Sequence, residues 1–441
     1  MHQLANNNKC SSAKEISYLT PVSKKRSPRI SCLLGIGLAF AIGIAPVAEL
    51  QANQRDQLKR IHDRLAGVPP TPTVLDQMVT AGSLEAAAGI AMQNPAFYNV
   101  TLKNFATPWT NEDQSVFEPL NDYSATVIGI IRDDLDYRQV LYGDIVYTGS
   151  NLNNYSHTNN TMYENLESSN ADLSNTDILV RHSQSELPSN PPLTTTLPAD
   201  ATAGVMTTRA ASKAFFVDRP NRAMFRFTLL NHLCYDLEQI KDNTRSADRI
   251  RQDVSRSPGG DSRLFLTNCL GCHSGMDPMA QAFANYEWSY KDINPDDPDV
   301  GRLVYTPGVV QEKYHINATN FKGGYFTRDS GWSNYWRNGP NAWLGWKENP
   351  TAEFSASITE DSKGVSHGVG AKSLGMELAH TDAFARCQVK KIFKTVCLRS
   401  PDSSDTTDVN GWNFNSMVTA FKTNYNMKQA FGRAAVYCSG N

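Results

Sequence analysis

A mainly α-helical fold is the expectation from this sequence: a helical N-terminal region and a second helical body with long irregular loops. Three observations predict it. Apolar residues recur at helical spacing through most of the chain. Capping residues and prolines bracket those runs, as Ser83 and Pro95 do around Leu84–Gln93. Extended, turn-rich patterns are limited to short stretches, chiefly 300–330 and parts of 96–147. The 441 residues leave room for two or three domains.

Residues 1–52 read as a leader. Lys24, Lys25, Arg26 and Arg29 form a basic cluster, and an apolar run follows from Ile30 to Val47. Leu50-Gln51-Ala52 offers a small-residue cleavage site. This is the layout of a signal peptide with a long basic region. The apolar run is also close to membrane-spanning length, so an uncleaved anchor is the second reading. Either way the body of the chain is expected outside the cytoplasm, periplasmic or extracellular.

Residues 53–148 read as a helical N-terminal region. Leu58, Ile61, Leu65 and Val68 share one helical stripe, stopped by Pro69-Pro70. A helix from Thr73 to about Thr80 comes next, then the Ser83-capped one. Asp133, Asp134 and Asp136 read as a solvated turn or helix cap, because calcium needs more oxygen ligands at defined positions. Residues 149–200, rich in Asn, Ser, Thr and Pro, read as a linker or long surface loop.

Residues 201–441 form the second body. Ala223–Gln239 has the composition of a buried helix, with His232 as a packed residue rather than a ligand. An arginine-bearing connection follows (Arg245, Arg249, Arg251, Arg256, Arg263), broken at Pro258-Gly259-Gly260. These arginines suit either a solvated basic loop or anionic groups of a ligand nearby. Asp261 or Ser262 caps the next helix. A turn is expected across 274–279, with Pro278 opening another helix. Trp332, Trp336, Trp343 and Trp346 crowd together, mainly for core packing. Lys372–His380 and Thr381–Leu398 are two strong helices, and Val418–Tyr437 adds one or two more.

The chemistry is concentrated in Cys269-Leu270-Gly271-Cys272-His273. This spacing reads as a c-type haem attachment site. Thiols three positions apart share one helical turn and reach the two vinyl groups of one porphyrin. The next residue, His273, then offers a neutral imidazole nitrogen to the iron. Gly271 is expected to let the ring edge approach the backbone. A zinc site and a thioredoxin-like redox pair are the rivals. Zinc calls for a second Cys/His pair at short spacing, and a redox pair for a neighbouring strand-helix-strand pattern; neither is visible.

The remaining cysteines agree with export. Of eight, Cys10 and Cys32 go with the leader and two with the haem motif. Cys234, Cys387, Cys397 and Cys438 are an even set, expected to form two disulfides. Cys387 and Cys397 share one predicted helix, about 15 Å apart, too far to bridge. Each should therefore pair with Cys234 or Cys438. Residues 1–52 hold six Lys/Arg against two Glu, so without them the net charge moves from −2 to −6. That balance argues against a nucleic-acid partner.

From Gly204 onward the order of features resembles the large secreted cytochrome c-like proteins of the planctomycete type. The matching residues are Gly204-Val205-Met206-Thr207-Thr208, Asn268 with the haem motif, Met276-Asp277-Pro278-Met279-Ala280 with Ala282-Phe283, and Ala383-Phe384-Ala385-Arg386-Cys387. The resemblance covers about half the chain. It implies a helical, haem-bearing, extracytoplasmic domain of cytochrome c-like type, and no particular substrate.

The function expected is single-electron transfer by one covalent haem c, with Cys269 and Cys272 holding the porphyrin, His273 on the iron, and a redox protein as partner. Two alternatives stand beside it: a haem-c enzyme of peroxidase or oxygenase type, or a haem-bearing subunit that serves a partner. The sixth iron ligand is open among Met376, His380, His367, His315, Met417 and Met427. Met376 is favoured because it lies in a well-formed helical segment after a glycine turn.

Overall fold

Leu58, Ile61 and Leu65 are all buried, on one face of α1 (Val47–Ala66). The computed structural model describes residues 47–188, 197–217, 221–245, 248–249, 262–314 and 326–440. Most of the expected leader, with Arg251, Arg256 and His315, lies outside those residues. Among the described residues no helix is long and apolar enough to cross a membrane. About 53% of the chain is helical, with few short strands.

The capping signals place the next helices. Thr71 Oγ1 accepts from the N–H of Val74 at 3.3 Å and opens α2 (Pro72–Val79). Ser83 Oγ accepts from Ala86 N–H at 3.1 Å and opens α3 (Leu84–Ala91). Such caps contribute about 1 kcal/mol each. After the short α4 (Lys103–Ala106) comes α5 (Asp122–Arg132), buried along its whole length and started by an Asn121 capping box. Asp133 ends it and pairs with Arg132, Asp136 pairs with Arg138, and Asp134 pairs with Lys428. The acidic run is thus a helix end with ion pairs.

Next, α6 (Gln139–Tyr142) leads into β1 (Val146–Gly149), which lies against α5. Gly129 makes that approach possible, since a Cβ there would come closer than 3.0 Å to the Tyr147 ring. The segment read as a linker then returns to the same core. It carries α7 (Thr161–Ser168) and β2 (Leu179–His182). β2 pairs antiparallel with β1, Val146 opposite His182 and Gly149 opposite Leu179. Met162, Tyr163, Leu173 and Leu179 are buried, and Tyr163 Oη donates to Tyr147 O at 2.8 Å. A few apolar anchors among many Asn and Ser residues are enough to fold 149–188 inward. The boundary expected there is absent, and Ala48–Asn441 forms one compact unit.

The helix expected over Ala223–Gln239 is broken. After α8 (Arg209–Phe215), α9 (Arg222–Thr228) widens into a π-type turn over Leu229–Leu233 and stops at Cys234, whose φ is 62°. Then α10 (Ser262–Asn268) runs into α11 (Leu270–Ala280). The turn expected at 274–279 does not form. Pro278 sits near the end of one continuous helix, which packs on α9.

β3 (Tyr286–Ser289) and β4 (Arg302–Tyr305) pair antiparallel. β5 (Gly331–Asn334) packs against α11. It joins β6 (Thr359–Glu360) and β7 (Ser366–Val369) in a sheet of order β5-β7-β6, with α12 (Ala352–Ser357) preceding β6. The chain closes with α13 (Gly370–Ala379), α14 (Asp382–Cys397), α15 (Phe414–Phe421) and α16 (Met427–Gly440). Two disulfides lock these helices: Cys234–Cys387 and Cys397–Cys438, with Cα separations of 5.3 and 5.5 Å. Cys387 and Cys397 are therefore bridged to different partners, as their spacing on one helix requires. Two disulfides fit an oxidising compartment.

Candidate functional site

The pentad sits at the joint between α10 and α11. Cys269 N–H donates to Phe265 O at 2.9 Å, and Cys269 O accepts from His273 N–H at 3.1 Å. Cys269 therefore ends one helix and starts the next, so the two thiols lie on one turn. Both are half-buried, and neither is in a disulfide. The six cysteines among the described residues thus divide cleanly: four are bridged, and the two left over are those of the pentad.

The two rival chemistries find little support in this geometry. Burial, with the Glu238 carboxylate adding to it, pushes the Cys272 thiol up to about 11. A redox C-x-x-C needs the opposite, a depressed thiol. Among the described residues no three His, Cys, Asp or Glu side chains are placed to share a metal ion. Cys269, Cys272 and His273 do not converge on one point, as zinc ligands would. Thiols spread along a turn with an imidazole beyond them are the donor set that suits a covalently held porphyrin.

His273 is partly exposed, and its ring centroid lies 5.6 Å from that of Phe265. Its Nδ1 is 3.1 Å from Asp277 Oδ1, four residues on along α11. Asp277 is buried, its side chain 1% exposed, and Arg222 grips it with two nitrogens: Nε to Oδ1 at 2.9 Å and Nη2 to Oδ2 at 3.2 Å. Burial alone would raise the Asp277 carboxyl. Arg222 and His273 outweigh it and hold the group well below the usual carboxylate range. Among the described residues His273 Nε2 makes no hydrogen bond.

What braces α11 was only partly legible. Gly271 faces the 241–243 segment, not open space: a Cβ there would strike Asn243 Oδ1, and its carbonyl accepts from Asp242 N–H at 2.9 Å. The expectation that Gly271 clears a porphyrin edge is therefore corrected, since the small residue admits a neighbouring chain segment. Ser274 Oγ donates to Asp242 O at 3.1 Å. On another side Trp336 is fully buried against Gly275. Trp332 is buried too, its Nε1 donating to Ser373 Oγ at 2.8 Å, while Trp343 is 53% exposed. Core packing thus explains part of the tryptophan cluster.

Two of the described arginines before the pentad contact other parts of the chain. Arg245 pairs with Asp242 and reaches Asn338 O, and Arg249 donates to Gly331 O at 3.2 Å. His232 is a packed residue, its Nε2 2.8 Å from Tyr123 Oη.

The candidates for a sixth ligand are scattered. Met376, Met417 and Met427 are buried on α13, α15 and α16. His380 is fully buried just after α13, with Nδ1 2.8 Å from Met376 O. His367 lies on β7 between Ser333 Oγ at 2.9 Å and Asp361 at 3.4 Å. The principal neighbours of α11 are α9, α10 and β5, none of which bears these residues.

Two members of the site were missed in the sequence. The His-x-x-x-Asp spacing of His273 and Asp277 was a readable signal, because residues four apart meet on a helix. Arg222 had none, as it arrives from α9. No family model matches the chain, and no curated protein or solved structure matches it.

Proposed function

We propose that this chain is an exported monohaem c-type cytochrome that passes single electrons to and from a redox protein. The observation that carries this reading is the donor set at the start of α11: two thiols outside the disulfides, one turn apart, followed by an imidazole whose Nε2 has no hydrogen-bond partner among the described residues. Cys269 and Cys272 would hold the porphyrin through thioether bonds, and His273 Nε2 would coordinate its iron. When bound, the haem supplies reversible one-electron exchange at its iron. The protein's share is to bury the ring, fix its orientation and set its electrostatics. In this reading the single compact unit Ala48–Asn441 carries the haem, and residues 1–52 direct export, so that attachment occurs outside the cytoplasm.

One observation favours a second reading. A carboxylate on the axial imidazole raises the electron donation of that ligand, which suits a haem-c enzyme of peroxidase or oxygenase type. The visible spectrum of protein made with the haem-ligation machinery separates the two. Low-spin bands with a methionine–iron charge-transfer feature support the carrier. High-spin ferric iron that binds cyanide quickly supports the enzyme. A spectrum without a Soret band refutes both.

A further inference from the structure

Of the groups around the pentad, one buried ion pair ties α9 to α11 and faces His273. Asp277 is sealed from solvent at 1% side-chain exposure, and burying a carboxylate there is costly unless it is paired. Two groups pair it: the Arg222 fork and His273 Nδ1. An ionised carboxylate only accepts hydrogen bonds, so the nitrogen facing it must carry the proton. In the neutral ring the lone pair is then fixed on Nε2, the nitrogen without a hydrogen-bond partner among the described residues. Arg222 itself is well anchored. It opens α9 next to Asn221, whose Nδ2 donates to Phe283 O at 2.7 Å and to Tyr286 O at 2.9 Å.

We infer that Asp277, clamped by Arg222, is the positioning residue that presents His273 Nε2 to the iron and holds the midpoint potential low by lending the imidazole anionic character. The inference rests on the haem reading above and adds to it the direction in which the protein tunes the iron. A more basic ligand favours the ferric state over the ferrous. Arg222 acts in the opposite sense. It neutralises part of the carboxylate charge and so limits how far the potential falls.

The test uses full-length protein made with the haem-ligation machinery, as wild type, Asp277→Asn and Arg222→Gln. Midpoint potentials are measured by spectroelectrochemical titration. Asparagine still accepts from Nδ1–H but carries no charge, so D277N should shift the reduction equilibrium at least tenfold toward the ferrous form, 59 mV upward for one electron. R222Q should move it downward. General loosening of the site would move both variants the same way. Shifts in the same direction, or equilibria within twofold of wild type in both variants, overturn the inference. If D277N fails to fold, R222Q decides alone: a lower potential supports the inference, and an unchanged or higher one overturns it. A wild-type protein without covalent haem is a different failure, that of the underlying reading, and it shows as a missing Soret band before any potential is measured.

Discussion

Gly275→Ala should destabilise the helix that carries the pentad. A methyl at this position would stand closer than 3.0 Å to three atoms of the Trp336 indole, where ordinary contact begins at 3.4 Å. The ring has little room to withdraw. It is fully buried, and the backbone is pinned on both sides: the main-chain N–H of Trp336 donates to Asn334 Oδ1 at 2.8 Å and its main-chain carbonyl accepts from Trp346 Nε1 at 3.0 Å. Overpacking of this kind costs about 1–3 kcal/mol and sometimes more. The better helix propensity of Ala over Gly offsets about 1 kcal/mol of it. A clash this deep belongs at the upper end, so the net loss should be about 1–3 kcal/mol. Guanidinium melts should show a lower midpoint at unchanged slope. Trp336→Phe shrinks the ring and gives up no hydrogen bond, because the indole Nε1 has no partner among the described residues. Combined with G275A it should recover part of the loss, a positive coupling in a double-mutant cycle. A G275A protein as stable as wild type, or more so, would refute the packing argument.

Three other perturbations have definite outcomes. Removing the Cys234–Cys387 bridge as a Cys→Ala pair opens a separation of 153 residues, and removing Cys397–Cys438 opens one of 41. Loop-closure entropy then predicts losses of about 5 and about 4 kcal/mol, so the first variant should melt lower in a denaturant series. His380 is buried, its Nε2 without a hydrogen-bond partner among the described residues, and burial lowers its titration from 6.5 to about 4. Between those values the unfolded chain binds more protons than the folded one, so stability is full above pH 6.5 and falls by about 3 kcal/mol as the pH drops through that window. Urea midpoints from pH 7 to 4 should follow that fall, and His380→Leu should flatten it. Asp122 is buried and its carboxylate accepts from the N–H groups of Arg209 and Ala210 at the start of α8. D122A leaves both donors unsatisfied and should cost about 2–4 kcal/mol, read as a lower Tm.

Helices with local signals were legible. Thr71, Ser83 and Thr381 cap where hydroxyls precede apolar stripes, and the expected helix Thr381–Leu398 matches α14 to within a residue at each end. Elements that depend on distant partners were not. β2 pairs with β1 across the polar 149–178 stretch, and its apolar anchors are too few to outweigh local composition. The wide turn after α9 follows from tertiary packing around Cys234, which local propensity does not report. Within α11 the stretch from Ser274 to Met279, with Gly275 and Pro278, reads as a turn, yet Gly271 and Gly275 are there because Asn243 and Trp336 crowd them. At the site, the pentad is readable because its five residues are contiguous in the sequence. Asp277 was readable in principle through its i, i+4 relation to His273. Arg222 was not, since nothing local ties residue 222 to residue 277.

The haem reading is tested most directly by intact mass and absorption of the mature protein after denaturation. Material made with the ligation machinery should carry the added mass of one haem and keep its Soret band when unfolded, and Cys269→Ala/Cys272→Ala should lose both. A chain at bare polypeptide mass, colourless under the same conditions, would contradict the account.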